Sequence, residues 1–82
     1  MLTETSALMR GIRLALRAEM QKRGRSTKGL AGQAEVGQPG LHRFLAGERS
    51  SMQAAALFSV AFALGKSPAW MIREGAKLAK LR

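Results

Sequence analysis

The sequence predicts an all-α domain, and three observations lead there. Alanine and leucine are abundant, tyrosine is absent and β-branched residues are few. No run alternates apolar and polar residues as a half-buried strand does. Instead, apolar residues recur at spacings of three and four between glycines, prolines and serines that punctuate the chain. Eighty-two residues suffice for one domain with a thin core, so residues 1–82 are read as a single unit.

The first helix is expected from about Ser6 to Arg23, capped by Thr5 or Ser6. Leu8, Ile12, Leu16 and Met20 recur every four residues and make one buried stripe. Arg10, Arg13 and Arg17 fall on another face, where a solvated basic surface is the simple reading, above all for Arg10 and Arg13. Gly24 is the expected left-handed stop. The second helix opens at "STKGLAGQA", with Ser26 as N-cap and Leu30, Ala31 and Ala34 inward. Gly29 and Gly32 each weaken it by roughly 1 kcal/mol relative to alanine, so packing must hold it.

"EVG", residues 35–37, then breaks the chain. Gln38 precedes a proline and is pushed away from the α region, which makes it the expected cap. Pro39 is then the first residue of a third helix. Leu41, Phe44 and Leu45 face inward, His42 and Arg43 outward, and Gly47 ends it. After the polar "GERSS" loop, Ser51 is the expected cap of a fourth helix with Leu57, Val60, Ala61 and Leu64 inward and Gly65 as its stop. Ser67 and Pro68 start a fifth, anchored by Trp70 and Ile72. The tail, residues 74–82, either breaks at Gly75 or adds final helical turns.

The formal charge is +9 and the pI near 11.7. Such a surplus points to a polyanionic partner, although it also serves solubility alone. No cysteine is present and His42 is the single histidine, so neither a disulfide nor a zinc cluster is expected, and no cofactor. The five acidic residues are scattered glutamates. Without a carboxylate pair, a Ser-His-Asp set or a GxxxxGK[ST] loop, an enzyme is not expected. No segment is apolar enough to span a bilayer, and the first residues do not read as a secretory signal. Together with the absence of cysteine this leads to a cytoplasmic expectation.

Helix, three-residue break and helix over about residues 27–46 form the physical plan of a helix-turn-helix. Here a resemblance becomes specific. From about Ser26 to Gly75 the chain resembles the Cro/C1-type (XRE) helix-turn-helix regulators, typified by the phage lambda and 434 repressors. Leu30-Ala31, Ala34, Val36, Gln38, Leu41, Arg43, Phe44 and Gly47 carry the match, with Ala63-Leu64-Gly65 and Trp70 further on. "GQPGLHRFLAG" is similar to the lambda repressor's reading helix.

The resemblance implies a five-helix lambda-repressor-like domain with a short helical tail. It also implies a sequence-specific regulator of double-stranded DNA, a dimeric autorepressor on a palindromic operator, of phage or mobile-element type. Gln38 would contact adenine, and Arg43 guanine. His42 would touch a base or a phosphate, or stand idle. Thr27 and Lys28, at a helix N-terminus, would hold a backbone phosphate. Arg49, Ser50 and Ser51 would form a second phosphate clamp, with Arg25 a weaker candidate. Two residues depart from the family pattern. Glu35 takes a turn position usually given to glycine, where positive φ costs about 1 kcal/mol, unless Gly37 carries part of the bend. Pro39 replaces a polar reading residue and leaves only a contact with a thymine methyl.

A second surface is expected where Ala55, Phe58 and Phe62 lie round the fourth helix from its core stripe. With Leu78 and Leu81 of the tail they form a candidate homodimer interface, unless the tail folds back over them. Two other readings compete. One is an antitoxin whose toxin partner takes the Phe58/Phe62 patch and whose DNA binding is autoregulatory. The other is a nonspecific nucleic-acid or membrane-surface binder driven by charge alone.

Overall fold

A computed structural model of the chain describes residues 2–80, so Leu81 of the expected interface lies outside them. Five α-helices and no strand are found among the described residues: α1 (Leu2–Arg23), α2 (Thr27–Ala34), α3 (Gln38–Leu45), α4 (Ala54–Ala63) and α5 (Pro68–Leu78). The stripe Ile12, Leu16 and Met20 of α1 is buried against Leu30 and Ala31 of α2, Leu41 and Phe44 of α3, Leu57, Val60 and Leu64 from α4 and its cap, and Met71 of α5. Each helix thus contributes apolar side chains to one shared core, as a small domain requires.

The helix starts show which local signals prevail. Ser26 and Ser67 cap α2 and α5, accepting from the backbone N–H of Gly29 and Trp70 at 3.0 Å each. Three other starts differ from expectation. Helix α1 begins at Leu2, so Thr5 and Ser6 lie inside it, and Glu4 in the first turn complements its positive end. Gly37 rather than Gln38 is the N-cap of α3, which places Pro39 second in the helix. Proline is tolerated there because the first four N–H groups of a helix lack intrahelical partners. Helix α4 starts at Ala54 with Gln53 as N-cap, not at Ser51. Leu57 of the core and Met52, partly buried against that core, take the N4 and N′ positions of a hydrophobic staple, which sets the entry of the chain.

Gly24 and Gly65 end their helices at φ of 63° and 75°. Gly75 does not break α5. It is buried, and its backbone is pressed against α1. A Cβ on Gly11 would stand 2.0 Å from the Gly75 carbonyl oxygen, and one on Gly75 would stand 2.6 Å from Ile12 Cγ1. Two glycines therefore set the crossing of α1 and α5, the most extensively packed helix pair. Met71 fills the core from α5, and Ile72, an expected anchor, is exposed instead.

Candidate nucleic-acid interface

Between α2 and α3 the turn is built on Glu35, which takes the left-handed conformation (φ 57°, ψ 43°). Val36 N–H reaches back to Ala31 O at 3.0 Å, the long bond of a Schellman turn. Gly37, at φ −65°, takes no positive φ and serves as the N-cap of α3. The strain thus sits on a non-glycine residue, at a cost of about 1 kcal/mol.

Leu41, Phe44 and Leu45 hold α3 to the domain at 0%, 1% and 6% exposure. The residues between them face away. Gln38, Pro39, His42 and Arg43 are all exposed. At 100° per residue, Pro39, His42 and Arg43 form one arc opposite the buried side, with Gln38 at its N-terminal edge.

The flanking residues divide between two grooves. One, between α1 and the α2–α3 pair, is lined by Leu14, Arg17, Gln21, Thr27, His42 and Ala46. It brings together Thr27, at the start of α2, and His42, from the exposed arc of α3. The other is lined by Glu35, Gly37, Gly40, Arg49 and Gln53. There Arg49 folds back along α3, with its Nη1 3.1 Å from where a Cβ on Gly40 would stand. Lys28, Ser50 and Ser51 are exposed. Arg25 is not: its guanidinium donates to Ala63 O at 3.3 Å and to the Gln33 side chain. Its guanidinium is thus engaged within the domain, while Arg25 still lines the groove of Thr27 and His42.

Arg25 belongs to a repeated arrangement that the sequence did not announce. The last carbonyl of α4, Ala63 O, accepts from Arg25, and the last of α3, Leu45 O, accepts from Arg17 at 3.2 Å. Two residues on, each helix meets a positive-φ glycine with a guanidinium against it. Arg13 Nη1 lies 3.3 Å from the Cβ position of Gly47, and Arg23 Nη1 lies 3.2 Å from that of Gly65. Helix C-termini carry orphan carbonyls and a partial negative charge, and arginine answers both. Arg13 and Arg17 therefore serve as contacts to the end of α3, not as a purely solvated face.

Beside the end of α4, Glu19 is the one buried charged residue among those described. Arg23 Nε donates to it at 2.6 Å and Lys66 Nζ lies 3.9 Å away. The Arg23 hydrogen bond holds the carboxyl below its ordinary range, against the opposing effect of burial, with the charges of Lys66, Arg23 and Lys22 assisting. Lys66 also stands 5.3 Å over the Trp70 ring.

On the expected second surface, Phe58 is 39%, Phe62 64% and Leu78 48% exposed, and Ala55 is exposed too. Helix α4 contains no charged residue. Up to Lys80 the tail does not cover the phenylalanines. Among the described residues no three His, Cys, Asp or Glu side chains gather as a metal site, and no single helix is long and apolar enough to cross a membrane. Comparison with protein-family models, characterised proteins and solved structures finds no match to this chain.

Proposed function

We propose that this chain is a lambda-repressor-like, sequence-specific DNA-binding regulator that reads the major groove with α3. The observation that carries the reading is the division of α3. Three buried side chains fix it to the core, and its free side presents Gln38, Pro39, His42 and Arg43 in a chain of charge +9. Gln38 offers a donor and an acceptor to an adenine edge, and Arg43 offers a fork to guanine. Thr27, Lys28, Arg49, Ser50 and Ser51 flank that edge as phosphate contacts.

Two copies pair through Ala55, Phe58, Phe62 and Leu78, and read two half-sites about 34 Å apart. The same patch favours a second reading, an antitoxin whose partner is a toxin protein. The decisive experiment is selection of bound sequences from a random DNA library. A palindromic motif supports the regulator. Recovery of sequences without preference returns the chain to nonspecific, charge-driven binding. Arg43→Ala should then weaken operator binding by roughly 1–3 kcal/mol and relax one base pair. Equal affinity of this variant and the wild type for the operator would remove α3 as the reading element.

A further inference from the structure

We infer that Arg17 of α1, seconded by Arg13, is a positioning residue for α3, so that sequence discrimination depends on a side chain that reads no base. The inference rests on the proposed reading of DNA by α3, but its structural half stands without it.

Helix α3 has only eight residues, Gln38–Leu45. So short a helix has little stability of its own and takes its orientation from what holds it. Its buried side chains fix its height above the core. Its C-terminal end is fixed by contacts of another kind. Among the described residues, the backbone donors that follow the helix go to His42, Arg43 and Phe44: Ala46 N–H to His42 O, Gly47 N–H to Phe44 O, and Glu48 and Arg49 N–H to Arg43 O. Leu45 O is left to Arg17, whose Nη1 donates to it at 3.2 Å across from α1. One turn earlier on α1, Arg13 lays its guanidinium against Gly47, which the chain passes at φ 83°. Two cationic groups on one helix thus receive the negative end of the other. His42 and Arg43 lie in the last turn of α3. A tilt at that end therefore displaces the side chains proposed to meet bases. Bidentate contacts to base edges are the least tolerant of such displacement, whereas contacts to phosphates adjust.

Positioning and direct phosphate binding leave different signatures. An arginine that neutralises a phosphate contributes about 0.9 to the slope of log K against log salt, and its removal weakens specific and nonspecific binding alike. Removal of a positioning arginine leaves the slope and the nonspecific affinity as they were and weakens specific binding alone.

The test uses the full chain with Arg17→Ala, and Arg10→Ala as a charge-matched substitution at an exposed position on the same helix. Two readouts are taken on samples that far-UV circular dichroism shows to be folded. Amide hydrogen exchange should quicken in Arg17→Ala at Leu45, Ala46 and Gly47, with α2 and α4 protected as before. With the selected operator and a random duplex, the ratio of specific to nonspecific affinity should fall about tenfold in Arg17→Ala, in keeping with the loss of one charged hydrogen bond. The salt slope should stay at the wild-type value. Arg10→Ala should keep the wild-type ratio. Unchanged exchange at the end of α3 overturns the inference, whatever the DNA result. So does a lower salt slope with both affinities falling together, which would make Arg17 a phosphate contact. A library that yields no preferred sequence ends the reading of α3 as a base reader, and the exchange data still decide whether Arg17 holds it.

Discussion

Replacing Gly11 by alanine should unfold this domain more readily, although alanine is the better helix former. The gain from helix propensity is about 1 kcal/mol. Against it stands the position of the new methyl group, 2.0 Å from the carbonyl oxygen of Gly75 and 3.1 Å from the Ala79 Cβ. A carbon and a carbonyl oxygen in contact stand at least about 3.3 Å apart. Helices α1 and α5 must then separate by more than about 1 Å, and the obstacle is backbone, which cannot rotate aside. Ile12 and Leu16 on α1 and Met71 on α5, each no more than 3% exposed, lose close contact in the process. A gap of that width forfeits a quarter to a half of the dispersion attraction across it. Overpacking of this kind costs typically about 1–3 kcal/mol, and here the lost contacts add to it. The net expectation is a loss of about 2 kcal/mol. For a domain of this size that lowers the midpoint of thermal unfolding by on the order of 10 °C. Gly32→Ala is the matched comparison. Nothing lies within 4 Å of its Cβ position and its φ is not positive, so it should raise stability by up to about 1 kcal/mol. Thermal and urea unfolding followed by far-UV circular dichroism measure both. A Gly11→Ala variant that melts at or above the wild type would refute the close crossing.

Three further outcomes are expected. Glu19 has a lowered native pKa, so the unfolded chain takes up its proton more readily; the stability it contributes is present above about pH 4.5 and is lost as pH falls through the native value. Glu19→Gln should cost about 1 kcal/mol at pH 7 and lose less than the wild type on acidification; equal losses in urea titrations at pH 7 and pH 3 would show that Glu19 is not the group responsible. Arg49→Ala should weaken operator binding a few-fold and lower the salt slope by about 0.9; undiminished binding with an unchanged slope would remove Arg49 from the DNA contacts. Sedimentation should find Phe58→Glu, Phe62→Glu monomeric where the wild type pairs, and a pairing equilibrium unchanged by both substitutions would place the interface elsewhere.

Much of the architecture is legible because its signals are local. Ser26 and Ser67 cap through their own side chains, and Gly24 and Gly65 stop helices through their own φ. The inward residues of α3 follow from period alone. What was not legible depends on partners distant in the chain. Gly75 has the composition of a break and the environment of a contact, and only Gly11 opposite distinguishes them. Ser51 has the right side chain for a cap, but the apolar pair Met52 and Leu57 brackets the start of α4 further on. Arg25 is exposed in any reading of a linear string, yet it finds the end of α4 in space. The same holds for Arg13 and Arg17 at the end of α3. The candidate reading edge was therefore visible as a list of residues, and the supports that orient it were not.

The meeting of Gly11 with Gly75 also bears on how the chain acquires its structure. Most of the described chain lies between these two residues, so the most extensive helix pair is also the one that joins the first described helix to the last. Helical proteins fold fast when neighbours in sequence are neighbours in space, and a first-to-last pairing works against that. Until α5 docks, the face of α1 that carries Gly11 and Ile12 lacks the partner it closes on. In a chain whose α5 has not yet docked, that part of α1 stays open even where α2, α3 and α4 cover the rest, and exposed apolar surface of this kind is prone to aggregation.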